Sequence, residues 1–174
     1  MTSHGSSRTL RRRKVIVILA AIVLLSTIAS LPTSLLVAEC EGAILFAWPI
    51  SKGETFEISF LHSLNLSPVC DVFIWTGSEI LLQKSIFKTF GAGIPIPSDG
   101  IGTELIKVED HYELIGIDQT IYSIPIMLSD VPNHMVSHKQ KTAYLLDLAD
   151  SGKSVLITVR RVTLFTRLII KLTS

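Results

Sequence analysis

Acidic residues are missing from the first 38 positions of this 174-residue chain and from everything after Asp150. Charge of either sign is missing from Val15 to Ala38. Cysteine is scarce, with only Cys40 and Cys70. There is no internal repeat and no low-complexity tract. Each absence excludes something. Two cysteines cannot form a dense disulfide framework, although one bridge is chemically permitted in an oxidising compartment. The alternative is two small buried thiols that never meet. The length leaves room for one compact domain with appendages, not for two full domains.

The missing acids unmask a segregation of charge. Arg8, Arg11, Arg12, Arg13 and Lys14 precede the uncharged run, and Arg160, Arg161, Arg167 and Lys171 crowd the other end. Residues 15–159 hold only seven basic residues against all fifteen acidic ones. A core of that sign is unsuited to nucleic acid, whose binders concentrate positive charge on the folded face.

The uncharged run opens with VIVILAAIVLL. A helix crossing the hydrocarbon needs roughly 20 residues, so 15–38 reads as a single transmembrane anchor. Lys and Arg beside a span stay in the cytoplasm, which makes 1–14 a cytoplasmic N-terminus and puts the rest outside. A cleaved signal peptide shares the charged start and apolar core. No clean A-x-A site follows, however, and Glu39 stands where a lipoprotein signal needs a small residue. The expected localisation is the cell membrane, single-pass, with the C-terminal domain extracytoplasmic.

Residues 39–160 form short β-like runs separated by Gly, Pro, Asn and Asp. Strands are expected at 43–48, 55–61, 69–75, 79–89, 102–108, 112–117, 120–124, 142–146 and 154–159. Phe56, Ile58 and Phe60 alternate with Glu57 and Ser59, the period of a half-buried strand. The fold class is all-β, a small antiparallel sandwich or open barrel of eight or nine short strands. Residues 125–141 read as a long loop, with a helical turn competing around 145–150. In 161–174, Leu164, Leu168 and Leu172 make one helical stripe with Phe165 and Ile169 beside it. That spells a basic amphipathic tail fit for an anionic membrane surface, or else a last edge strand.

Two stretches stand out: His62-Ser63 followed by Pro68-Val69-Cys70-Asp71, and Phe87-Lys88-Thr89-Phe90-Gly91-Ala92-Gly93-Ile94-Pro95. The pair resembles the bacterial domain-of-unknown-function family 1850, over about residues 35–159. His62, Ser63, Pro68, Val69, Asp71, Phe90, Gly91, Ala92, Gly93 and Pro95 match its pattern, as do Gly53 and His134. Asn65 and Cys70 stand where the family pattern carries acids, which implies weaker hold on a cation. The resemblance implies association with TAXI-type TRAP transporters, beside which such proteins are commonly encoded.

The candidate ligand- or partner-binding residues are therefore His62, Ser63, Asn65, Asp71, Phe90, Gly91, Ala92, Gly93, Pro95 and His134. No catalytic residue and no cofactor is assigned. Neighbours on a strand point to opposite faces, so His62 and Ser63 are not read as base and nucleophile, although Asp71 is available as an orienting acid. The glycines of 91–93 permit close backbone approach, but no Lys-Ser/Thr follows to complete a phosphate loop. His134 and His138 lack the further convergent ligands a zinc site needs. The expected function is a non-catalytic, membrane-anchored accessory or binding module of a TRAP-type transporter. Its partners would be the lipid bilayer and the permease or its solute-binding protein, with any small-molecule ligand unknown. Alternatives are an envelope structural or assembly protein, or an exported hydrolase using His62.

Overall fold

The structure, a computed structural model, describes residues 5–64, 66–89 and 104–173. It divides into two compact units, one made of residues 1–33 and 161–174 and the other of Ser34–Arg160.

In the first unit α1 runs over Gly5–Ala29 and α2 over Leu164–Thr173. At the end of α1 the hydroxyls of Ser26, Thr27 and Ser30 donate to the carbonyls of Val23, Leu24 and Ser26 at 2.8, 2.7 and 2.8 Å. Pro32 then stops the helix, because the residue before a proline is driven out of the helical region. This corrects the expected anchor over 15–38. Pro32–Cys40 is strand β1, with Leu35, Leu36, Val37 and Ala38 all buried. Four consecutive buried side chains mean a strand covered on both faces, so these apolar residues serve a protein core. The uncharged part of α1, Val15 to Ala29, measures about 22 Å at 1.5 Å per residue, against roughly 30 Å of hydrocarbon. Among the described residues no helix is long and apolar enough to cross a membrane.

The second unit is mostly β, built from two antiparallel sheets that do not close into a barrel. After β1 come β2 (Ala43–Ile50), β3 (Thr55–Leu61), β4 (Pro68–Trp75), β5 (Ile80–Phe87) and β6 (Glu104–Val108). β7 (His111–Ile121), β8 (Ile124–Met127), β9 (Met135–His138), β10 (Lys141–Tyr144) and β11 (Ser154–Thr163) follow. The smaller sheet has the order β2-β1-β11-β8 and the larger β10-β9-β3-β4-β5-β7-β6. Phe56, Ile58, Phe73, Trp75 and Val136 of the larger sheet pack with Leu36, Ala38, Ile126, Val155 and Ile157 of the smaller. The indole of Trp75 donates to Ser34 Oγ at 3.2 Å, joining the sheets. His138 joins them again: Nδ1 lies 2.8 Å from the Thr55 carbonyl and Nε2 3.1 Å from that of Pro49.

The expected long loop at 125–141 instead contains β8 and β9. Both are four-residue strands, too short for a periodic signal. The expected break between 117 and 120 is a bulge inside β7. Gly116 and Asp118 take φ of 66° and 43° there, and the pairing with β5 shifts between Leu82 and Lys84. Glycine and aspartate tolerate the left-handed region, so Gly116 and Asp118 bend a continuous strand and do not end it. Leu145–Asp147 forms a single 3₁₀ turn.

Cys40 and Cys70 are both free, so the permitted disulfide is not formed. Cys40 belongs to the core between the sheets. Cys70 lies on the opposite face of β4 from Val69 and Asp71 and approaches Glu57 Oε2 at 3.8 Å. Strand alternation turns the two thiols away from a common site.

Candidate functional site

The larger sheet carries a row of paired residues across six strands: Val136, Ile58, Asp71, Ser85, Leu114 and Leu105. It is apolar except at the centre, where Asp71 faces Ser85. This polar pair separates the main core from a second buried cluster of Val69, Phe87 and Leu114. The next row holds Phe60 paired with Val69 and Val69 paired with Phe87. The His134 ring packs on Phe60 with centroids 5.2 Å apart.

A cavity of about 350 Å³ opens at this end of the sheet, and His62, Ser63, Asp71, Ser85, His134 and Phe60 are among its walls. None of its lining residues comes from the smaller sheet. The structure thus brings together His62, Ser63, Asp71 and His134, which lie as much as 72 positions apart in sequence. His62 and Ser63 both reach the cavity because β3 ends at Leu61. The opposition of neighbours expected on a strand therefore does not apply to them. The loop that follows is closed by His62 N–H donating to the Ser67 carbonyl at 2.9 Å and Leu66 N–H donating to the His62 carbonyl at 2.8 Å. Leu66 has φ of 50° at this closure. The Leu64 amide also reaches His62 Nδ1, at 3.4 Å.

Burial pushes the Asp71 carboxyl above its ordinary value, an effect partly offset by the hydrogen bond from Ser85. Burial alone pushes the His134 imidazole down, and its Nδ1 is buried without a hydrogen-bond partner. Desolvation disfavours the charged form of either sign, so acid and base are both biased toward neutrality. Such a site discriminates by hydrogen-bond geometry and shape more than by net charge. Among the described residues no three histidines, cysteines or carboxylates are grouped so as to hold a metal ion. His138 contacts backbone carbonyls at the far end of β9.

Asn65, Phe90, Gly91, Ala92, Gly93 and Pro95 lie outside the described residues. Cys70 is excluded from the cavity by its facing. It lines an adjoining groove of about 410 Å³ with Ser59, Pro68, Ile86 and Met135, and this groove shares Phe60, Leu61, Val69 and Pro132 with the cavity. Ser85 and Phe60 were not among the expected site residues. The available signal for Ser85 was a small polar residue in phase with Phe87 on an apolar strand.

One family model, described as a domain of unknown function (DUF1850), matches residues 56–145. The chain belongs to this family. The DUF1850 match takes in all but the first residue of the larger sheet, together with β8, and every residue lining the cavity. It leaves out both helices and β1, β2 and β11. The larger sheet with its cavity is thus what this chain has in common with the DUF1850 pattern. No curated protein and no solved structure matches the chain.

Proposed function

We propose that this protein is a membrane-held, extracytoplasmic, non-catalytic binding or accessory module of a TRAP-type (TAXI) solute transporter. The observation that carries the reading is the cavity in which His62, Ser63, Asp71, Ser85 and His134 converge within the family-matched sheet. Its small polar set on apolar walls suits a small polar ligand or an inserted partner side chain. Arg11–Lys14, just ahead of the uncharged stretch of α1 that begins at Val15, favour an N-terminus kept in the cytoplasm. In this reading α1 is the tether. Its short apolar length is accommodated by local thinning of the bilayer and snorkelling of the flanking basic residues.

The test is solute uptake in a strain lacking the gene, together with co-purification from membranes of the tagged full chain. Reduced uptake and recovery of a TRAP permease or its solute-binding protein are expected. Normal uptake in the deletion strain rejects the reading. Thermal-shift screening of the full chain with amino acids and dicarboxylates should find a ligand whose shift is lost in Asp71→Asn. One observation favours a second reading, an exported hydrolase: His62, Ser63 and Asp71 line one cavity. In that case His62→Ala abolishes a measurable hydrolysis while the fold survives.

A further inference from the structure

α2 presents the wrong face outward for a helix of a water-soluble domain. An amphipathic helix ordinarily turns its apolar stripe to the core and its charges to water. Here Phe165, Leu168 and Ile169 are 59%, 53% and 46% exposed. Successive residues are 100° apart, so these three share one face. Arg167 lies off that face, half-buried, with Nη1 3.4 Å from Thr33 Oγ1. The orientation is built in at the start of the helix. Leu164 N–H donates to the Leu31 carbonyl at 3.0 Å, and the Thr166 amide is capped by Thr163 Oγ1 at 3.2 Å. Leu31, just beyond α1, is itself 55% exposed.

Charge identifies what covers this face. The segment 161–174, which contains α2, has three basic residues, Arg161, Arg167 and Lys171, and no acidic one, whereas Ser34–Arg160 has eight basic and fifteen acidic. An exposed apolar stripe in a basic segment fits an anionic lipid surface, where apolar burial and attraction to headgroups add. We propose that α2 is a second membrane-contacting element, whose Phe165–Leu168–Ile169 face is buried in the interface of an anionic bilayer. The proposal rests on the membrane-held reading above but concerns a different segment.

Environment-sensitive probes separate the two. In a Cys40→Ser, Cys70→Ser background of the full chain, a single cysteine at Leu168 or at Leu24 is labelled. The protein is reconstituted with vesicles of phosphatidylcholine and phosphatidylglycerol. The expected result is a blue shift at both positions, with iodide access at 168 falling roughly tenfold as the apolar face leaves water. That fall should be smaller on phosphatidylcholine alone. A probe at 168 that stays open to iodide while the one at 24 is protected overturns the proposal and leaves α1 as the tether. Exposure at both positions overturns both readings. Because a label can disturb α2, unlabelled Phe165→Ser/Leu168→Ser/Ile169→Ser is compared by protease access to Arg167. Faster cleavage on vesicles than in wild type is expected, and unchanged protection counts against the proposal.

Discussion

In the cavity, Asp71 and His134 are residues whose surroundings oppose their charged forms. The folded state binds the Asp71 proton more tightly than the unfolded chain, whose value is near 3.8. Its contribution to stability is therefore full below that value and lost as pH rises through the folded value. Asp71→Asn keeps an acceptor for Ser85 and removes the buried charge. The variant should show a higher urea midpoint than wild type at neutral pH, with the gap closing in acid. An equal gap at every pH would remove burial as the cause. His134 has the opposite dependence. Its folded value lies below the unfolded 6.5, so stability is present above 6.5 and lost as pH falls through the folded value. His134→Phe retains a ring against Phe60 and cannot protonate. Its midpoint should hold where that of wild type declines.

At the scale of elements, His138 acts through β9. One ring reaches carbonyls of β2 and β3, strands of different sheets. A neutral imidazole carries one N–H, so truncation removes a hydrogen-bond donor from one carbonyl in a buried site. At about 1–3 kcal/mol for an unsatisfied group, His138→Ala should lower unfolding free energy by about 1–3 kcal/mol, measurable by denaturant titration. A loss within experimental error would mean that Trp75 and the apolar core alone hold the sheets together. Leu114 is fully buried in the second cluster and pairs with Ser85 in the same row as Asp71. Leu114→Ala should cost about 2–5 kcal/mol and also weaken any ligand of the cavity, because the row that positions Ser85 loses its neighbour.

For the whole molecule, the governing feature is the separation of a basic, apolar helical unit from an acidic β unit. Membrane association should therefore persist when the apolar contacts are intact and weaken in high salt to the extent that headgroup attraction contributes. Flotation of the full chain with anionic vesicles across a salt series measures this. Salt-independent flotation would assign the attachment to the apolar contacts alone. Deletion of the gene removes both units together, and a transport role of the whole chain predicts reduced uptake.

Charge segregation, the N-terminal helix and most strands were legible in the residues because they depend on local pattern. Alternation in Thr55–Leu61 is visible without any partner, and so is a basic cluster before an apolar run. The family resemblance was legible for the same reason, resting on two short stretches. What pattern could not reveal depends on partners distant in sequence. The apolar residues at 35–38 read as membrane until β1 was seen covered on both faces. β8 and β9 are too short to carry a period, and Asp118 with Gln119 read as a break between two strands until β5 was seen pairing on either side of them. The candidate site divides the same way. The family resemblance nominated His62, Ser63, Asp71 and His134, but only the tertiary structure put them around one cavity, added Ser85 and turned Cys70 to the other face. Local sequence sets propensity and period, whereas which face is inside is decided by the pairing of strands and by what packs on them.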